Sequence, residues 1–374
     1  ADSMDLYVER VDPTDDGRYE VNGRWVDFET RTEVIEVAGG DPVEIEVRIS
    51  RHGPILSDTL GALDVIDDDV PGLEGETGDF AISLAWTALE PGTMFEALLG
   101  INTADDWDDF REATCLWSFG SQNFVYADVD GNIGYTATGT TPIRTNGDGR
   151  WPVPGWHDRH QWEGTIPCED LPWTYNPPGG VIATANQAPF RGDDPWFGTD
   201  FSHGYRGARV YELLDQMERP LTVAQMKVLQ LDAKNLSAEE LAPAVLAVGS
   251  DDQRVIDGQA MIEAWGQLGE TDAWQQGVES PHAAYWAYFW QDLQIRVFED
   301  EVDPHNDGLS DGGNTGGGRF YSFLRNLVDD PENEWWDDKA TDEVETRDDI
   351  LEASLAAGWD AAVEALGSNP DDWE

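Results

Sequence analysis

The stretch Asn123–Gly139, "NFVYADVDGNIGYTATG", decides whether this part of the chain holds an ion or turns a corner in a sheet. Its centre, Asp128-Val129-Asp130-Gly131-Asn132, begins as a calcium-binding EF-hand loop begins. Such a loop needs a bidentate acid at its twelfth position, which counted from Asp128 is Gly139. It also needs helices on both sides. Here the flanks carry Val, Ile, Tyr and Thr around a polar Asp-Gly-Asn turn, which is the signal of a β-hairpin. The stretch predicts two paired strands and no ion.

The same strand character extends over the first 200 residues or so. "MDLYVERV", "RWVDFETRTEVIEV" and "PVEIEVRISRHGPILSD" alternate apolar with polar residues. "FAISLAWTAL" is a more continuous apolar run and predicts a strand buried on both faces. In "ADDWDDFREATC", residues 104–115, Trp107, Phe110 and Ala113 have helical spacing. Residues 140–200 are rich in Pro and Gly, as in "RWPVPGW" and "YNPPGGVIATANQAPF", and loops of this length tend to line sites. From about residue 205 the pattern turns helical: "ARVYELLDQM", "LTVAQMKVLQLD", "SAEELAPAVLAV" with a capping box from Ser237 to Glu240, "GQAMIEAWGQL", "HAAYWAYFWQDLQIRVFE" and "DDILEASLAAGWDAAVEALG". The stretch 306–318, "NDGLSDGGNTGGG", reads as a loop and not as a phosphate cradle, because no Lys-Ser/Thr ends it. Strands followed by helices predict an α+β architecture, a mostly β part over 1–204 and a mostly helical part over 205–374.

Charge constrains partners more than fold. The chain of 374 residues carries 76 Asp+Glu against 22 Lys+Arg, a formal net charge of −54. The acids are spread over the whole length and not gathered in a tail, which predicts a surface adapted to concentrated salt more than a polyanion that binds a basic partner. It disfavours nucleic acid as a partner. No segment approaches 18 uninterrupted apolar residues, so no membrane span is expected. Cys115 and Cys168 could form one bridge or remain two free thiols, and two cysteines alone complete no zinc site. There is no Gly-x-Ser-x-Gly elbow and no His-Glu-x-x-His pattern, and "HDRH" at 157–160 has no obvious third metal ligand. With 76 acids, a carboxylate pair at any fixed spacing recurs roughly fifteen times by chance, so pairs alone do not identify a glycosidase.

Seven stretches taken together resemble the penicillin acylase family of N-terminal-nucleophile amidases: "DSMDLYVERVDP", "RHGPILSD", "YADVDGNIGYTATGTTPIR", "RWPVPGW", "GGVIATANQAPF", "GYRGARVYELL" and "LQLDAKNLSAEELAP". They occur in the family's order along nearly the whole chain. The resemblance implies a four-layer αββα sandwich, in part, with a helical insertion. It implies hydrolysis of an acyl amide, a small molecule, through an acyl-enzyme on an N-terminal Ser whose own α-amine is the base. Matching the pattern places that Ser upstream of Ala1, because Ser50, Ser57 and Ser83 have no free α-amine. The chain is accordingly expected to be an internal piece of a precursor, inactive alone, with the missing upstream and C-terminal segments as its partners.

Two catalytic parts are carried over by the resemblance. Asn186 in "ATANQAP" takes the place of the amide donor to the oxyanion, and Arg209 in "GYRGARVYELL" that of the site arginine beside Arg206. A possible calcium ion would be held by the carboxylates of Asp2, Asp5 and Asp200 and the carbonyls of Met4 and Gly149, with Asp193 and Asp194 as alternatives to Asp200. No organic cofactor is implied. Trp86, Trp117 and Trp151 are candidates for the acyl pocket. The rival readings are a Trp-rich carbohydrate-binding module and a glycoside hydrolase.

The charge reading is checked by thermal unfolding of the chain followed by circular dichroism. Screening shortens from about 10 Å at 0.1 M salt to about 3 Å at 1 M, so the midpoint is expected to rise steadily over that range. A midpoint that does not move would overturn the salt-adaptation reading.

Overall fold

The computed structural model describes residues 3–60, 73, 75–190, 196–199, 201–269, 272–300, 318–339, 341 and 343–373. The loop predicted at 306–318 lies outside them except for its last residue. The chain divides into two compact units, Ala1–Phe201 and Ser202–Glu374. Among the described residues no helix is long and apolar enough to cross a membrane.

The first unit holds β1 (Met4–Asp12), β2 (Asp15–Val21), β3 (Arg24–Asp27), β4 (Glu29–Ile35), β5 (Val43–Ser50), β6 (Gly53–Pro54), β7 (Phe80–Trp86), α1 (Met94–Thr103), α2 (Trp107–Cys115), β8 (Asn123–Ala127), β9 (Ile133–Ala137), β10 (Pro142–Arg144), β11 (Val153–Pro154), β12 (Trp162–Thr165) and β13 (Trp173–Tyr175). Its main sheet is built around β1, which pairs antiparallel with β7 and β2 and parallel with β11. Tyr7, Val8 and Glu9 are consecutive and all buried, so β1 is covered on both faces. Ala81, Ile82 and Ser83 show the same for β7, as its apolar run predicts.

The Asp128 segment forms the predicted hairpin, β8 against β9. Asp128 closes the turn. Its Oδ1 accepts the Asn132 N–H at 2.8 Å, and its Oδ2 accepts from Asn132 Nδ2 at 2.8 Å and the Tyr126 hydroxyl at 3.0 Å. These donors hold the Asp128 carboxyl below its ordinary range, with the Asn132 side chain the largest cause. The carboxylate oxygens serve the turn.

The hairpin and β13 form a three-stranded sheet in the order β13-β9-β8. Helix α2, capped by Asp106 through the Asp109 N–H, lays Trp107 onto it. The Trp107 ring lies 5.5 Å from Tyr126 and 5.2 Å from Tyr175, directly over Gly134. A Cβ on Gly134 would come within 2.2 Å of that ring, so only glycine admits it. Helix α1 was not anticipated, because its residues "MFEALLGINT" show little segregation of apolar from polar faces: Phe95 and Leu99 are exposed, and Ala97 is the residue buried.

The second unit is helical: α3 (Tyr205–Gln216), α4 (Val223–Gln230), α5 (Leu236–Leu246), α6 (Gln253–Gly266), α7 (Pro281–Phe298), α8 (Gly318–Leu327) and α9 (Arg347–Leu366). Its core runs along α7, where Tyr285, Trp286, Phe289, Leu293 and Val297 are buried against α9 residues such as Leu351 and Leu355. Gly358 of α9 lets that helix reach the α7 backbone, since a Cβ there would fall 2.7 Å from the Phe289 Cα. The expected Ser237–Glu240 capping box does not form. Asn235 caps α5 instead, accepting from the Ala238 N–H at 2.9 Å, and Ser237 donates to the same Asn235 oxygen from inside the first turn.

Replacing Gly134 with Ala is expected to destabilise the chain by about 1–3 kcal/mol, the usual penalty of overpacking. Urea unfolding measures it, and an unchanged midpoint would contradict the Trp107 packing.

Candidate active site

Asn186 stands at a turn with φ +65°, in the left-handed region that Asn tolerates better than most side chains. The turn is braced from within. Gln187 Oε1 accepts the Ala185 N–H at 2.6 Å, and Gln187 Nε2 donates to the Ala183 carbonyl at 3.2 Å. The Asn186 N–H donates to Thr184 Oγ1 at 3.4 Å. This puts Asn186, exposed, on the rim of a cleft of about 120 Å³.

One wall of the cleft is apolar: Leu171, Phe190, Phe197 and Phe201. Phe190 packs on Phe197 at 4.7 Å and edge-on to Phe201 at 5.6 Å, and Leu171 and Phe197 are buried with Ile166 beneath. Ser121, Gln122, Asn123 and Thr138 supply the polar side. Strand β9 and the Leu171–Pro172 segment are tied together, since the Ala137 N–H donates to the Pro172 carbonyl at 2.8 Å.

The two cysteines, left open between bridge and thiols by the sequence, form a disulfide with Cα atoms 5.5 Å apart. It joins the end of α2 to the short turn Cys168–Asp170, and Leu171 of the cleft follows at once. Arg111 reinforces this join, donating to the Cys168 carbonyl at 2.7 Å and to its Sγ at 3.0 Å.

A larger cleft, of about 610 Å³, lies elsewhere in the first unit and includes Tyr7, Ser50, His52 and Gln161. Beneath it, fully buried Glu9 gathers three donors on one oxygen: Ser50 Oγ at 2.7 Å, Ser83 Oγ at 2.8 Å and His52 Nδ1 at 2.7 Å. With Nδ1 donating, His52 Nε2 accepts from Gln161 Nε2 at 2.7 Å, while the ring stacks on Tyr7 at 3.8 Å. A Ser-His-acid relay needs the hydroxyl hydrogen-bonded to the imidazole. Here both hydroxyls donate to the carboxylate instead, so neither Ser50 nor Ser83 is activated. Ser57 Oγ accepts the Ile82 N–H and is equally a framework group.

Arg209 lies in the second unit, on α3. Its Nε and Nη2 donate to the two oxygens of Asp232 at 2.9 and 2.7 Å, and Nη1 donates to Glu212 at 2.9 Å. The Asp232 hydrogen bonds raise the guanidinium's pKa further, and Arg209 in turn holds the Asp232 carboxyl below its ordinary value. Asp232 lies 23 residues from Arg209, so no local sequence pattern points to this pairing.

Of the five calcium donors expected, Asp2 and Asp200 lie outside the described residues, as do the alternatives Asp193 and Asp194. Asp5 is buried, and both its oxygens accept from Arg144 Nε, at 3.0 and 2.8 Å, with Trp162 Nε1 on one of them. The Met4 carbonyl accepts from Arg144 as well, at 3.4 Å, and Gly149 takes a positive φ of +76°. A guanidinium thus neutralises the Asp5 carboxylate. Among the described residues no group of three His, Cys, Asp or Glu could hold a metal. Of the tryptophans expected in the acyl pocket, Trp86 lines the larger cleft, Trp117 packs edge-on to Phe124, and Trp151 is exposed.

The mixed α+β fold is also that of a solved enzyme. The chain superposes on a thermostable penicillin G acylase from Alcaligenes faecalis with a TM-score of 0.71 at 19% identity, over 100% of this chain and 67% of that one. The penicillin amidase family model matches residues 1–374, and the chain belongs to that family. It is 27% identical over 390 residues to an acyl-homoserine lactone acylase QuiP of Pseudomonas fluorescens, covering 100% of this chain and 46% of the relative. It is 31% identical over 260 residues to penicillin G acylase of Escherichia coli, covering 67% of this chain and 28% of the relative. The chain therefore spans less than half the length of either relative. Members of the family are acylases acting on C–N bonds.

The Arg209–Asp232 pair gives a test of local electrostatics. Asp232→Asn is expected to destabilise the chain by about 1.5–3 kcal/mol at neutral pH, as for loss of a hydrogen bond to a charged group. The folded-state pKa lies below the reference value of 3.8, so this stabilisation is full above 3.8 and is lost as pH falls through the lower folded value. Urea unfolding of parent and variant should therefore converge in acid; a gap independent of pH would refute the ion pair as its source.

Proposed function

We propose that this chain carries part of the active site of an amide hydrolase of the penicillin acylase type, with Asn186 as the amide donor to the oxyanion. The observation that carries the reading is Asn186 itself. A neutral amide on a braced, left-handed turn opens onto a cleft with a phenyl-rich wall. An amide held in place before the reaction stabilises charge appearing on the scissile carbonyl oxygen without reorganising. The phenylalanine wall would take the acyl group. An apolar wall of this kind favours an apolar acyl group.

In this reading the nucleophile is an N-terminal Ser contributed by sequence outside these 374 residues, and the acyl-enzyme forms on it. Arg209 is the second site residue proposed, held rigid by Asp232. Since Asp232 and Glu212 offset its charge, its part would be to position groups more than to lower an amine pKa. The sheets and helices are taken as part of the four-layer αββα sandwich. Relatives named for acyl-homoserine lactones and for penicillin G support the amide class, and the phenylalanine wall supports an apolar acyl group.

The test is Asn186→Ala in the full-length enzyme, assayed on a chromogenic acyl p-nitroanilide. Loss of one oxyanion donor is expected to lower kcat by about 10²- to 10³-fold. A variant with its kcat intact would overturn the assignment.

A further inference from the structure

We infer that Gln187 is a positioning residue for the proposed amide hydrolysis, acting through the backbone that presents Asn186; the inference rests on the reading of Asn186 given above. Asn186 at φ +65° occupies a sparsely populated region that Asn tolerates, and the surrounding contacts decide how firmly it is held there. Gln187 provides such a constraint from inside the turn. Its oxygen takes the Ala185 N–H at 2.6 Å and its nitrogen gives a hydrogen bond to the Ala183 carbonyl at 3.2 Å. One side-chain amide therefore satisfies a donor and an acceptor on the strand of backbone that enters the left-handed residue. Both groups are fixed on the same planar amide, so the 183–185 backbone cannot rotate without breaking a bond.

The chemistry of the residue type matters here. Methionine has nearly the same length and can fill the space, yet it offers neither hydrogen bond. Glutamate keeps the acceptor for Ala185 but sets an oxygen against the Ala183 carbonyl, which repels it. Asparagine is one methylene shorter and cannot span the same two groups. Phe190 follows three residues later, on a wall anchored to Phe197 and Phe201, so movement at 183–187 shifts the amide of Asn186 relative to an apolar wall that stays put.

A misplaced catalytic group of this kind costs turnover more than binding. In the full-length enzyme, Gln187→Met is expected to lower kcat by about 10- to 100-fold on the chromogenic acyl p-nitroanilide, with KM within about twofold. The deciding measurement is the cycle with Asn186→Ala. If Gln187 acts through Asn186, the double variant is no slower than Asn186→Ala alone; a purely structural role predicts that the two losses multiply. Gln187→Glu serves as the second variant should the Met variant fold poorly, with the same non-additivity expected. An unchanged kcat in Gln187→Met, or losses that multiply, overturns this inference while leaving Asn186 in place. An Asn186→Ala enzyme with full kcat instead overturns the reading of Asn186, and this inference with it.

Discussion

The seating of Trp107 over Gly134 is the contact on which the candidate site most depends. It clamps α2 to the β13-β9-β8 sheet, and the cleft is assembled from what leaves that clamp. Ala137 and Thr138 come from the end of β9, Leu171 and Pro172 from the approach to β13, and Ser121 to Asn123 from the entry to β8. Each segment arrives from a different direction in the chain. What fixes their spacing is one indole packed among Tyr126, Trp173 and Tyr175, and the absence of a side chain at one strand position. Aromatic contacts of this sort carry a larger share of stability than their number suggests.

Cations are scarce in this chain, and several act as internal ties more than as surface charge. Arg144 holds buried Asp5, Arg209 spans Asp232 and Glu212, Arg10 bridges Glu20 and Glu76, and Arg48 grips Asp58. Most are arginine, whose planar fork can serve two acceptors at once. In a chain with 22 basic residues against 76 acids, each such tie removes one or two carboxylates from mutual repulsion. The exposed pairs among them contribute little singly. The half-buried and buried ones define geometry, as at Asp5, where the Arg144 guanidinium is itself buried against the carboxylate.

Local signals carried much of the fold into view. The Asp128 hairpin was legible because turn chemistry and strand composition agree over a few residues, and β7 because its apolar run is unbroken. Helix α1 was not, since a helix with Phe95 and Leu99 exposed has no one-sided pattern to read. The start of α5 was misplaced by two residues because Asn235 and Ser237 are both good caps, and only their hydrogen bonds decide between them. At the site, Asn186 and Arg209 came from motif likeness, whereas Asp232, Gln187 and the phenylalanine wall did not. Asp232 is distant from Arg209 in sequence, the wall is assembled by tertiary packing, and the Gln187 bridge depends on a left-handed turn that no residue pattern announces.

The bond between Cys115 and Cys168 has a practical side. Cross-links of this kind are made where an oxidant is at hand and are kept open where glutathione prevails. Material expressed in a reducing host would leave the turn before Leu171 untethered from α2, with Arg111 beside two sulfhydryls. Preparations from different hosts could thus share every residue and yet differ in how firmly one wall of the cleft is moored.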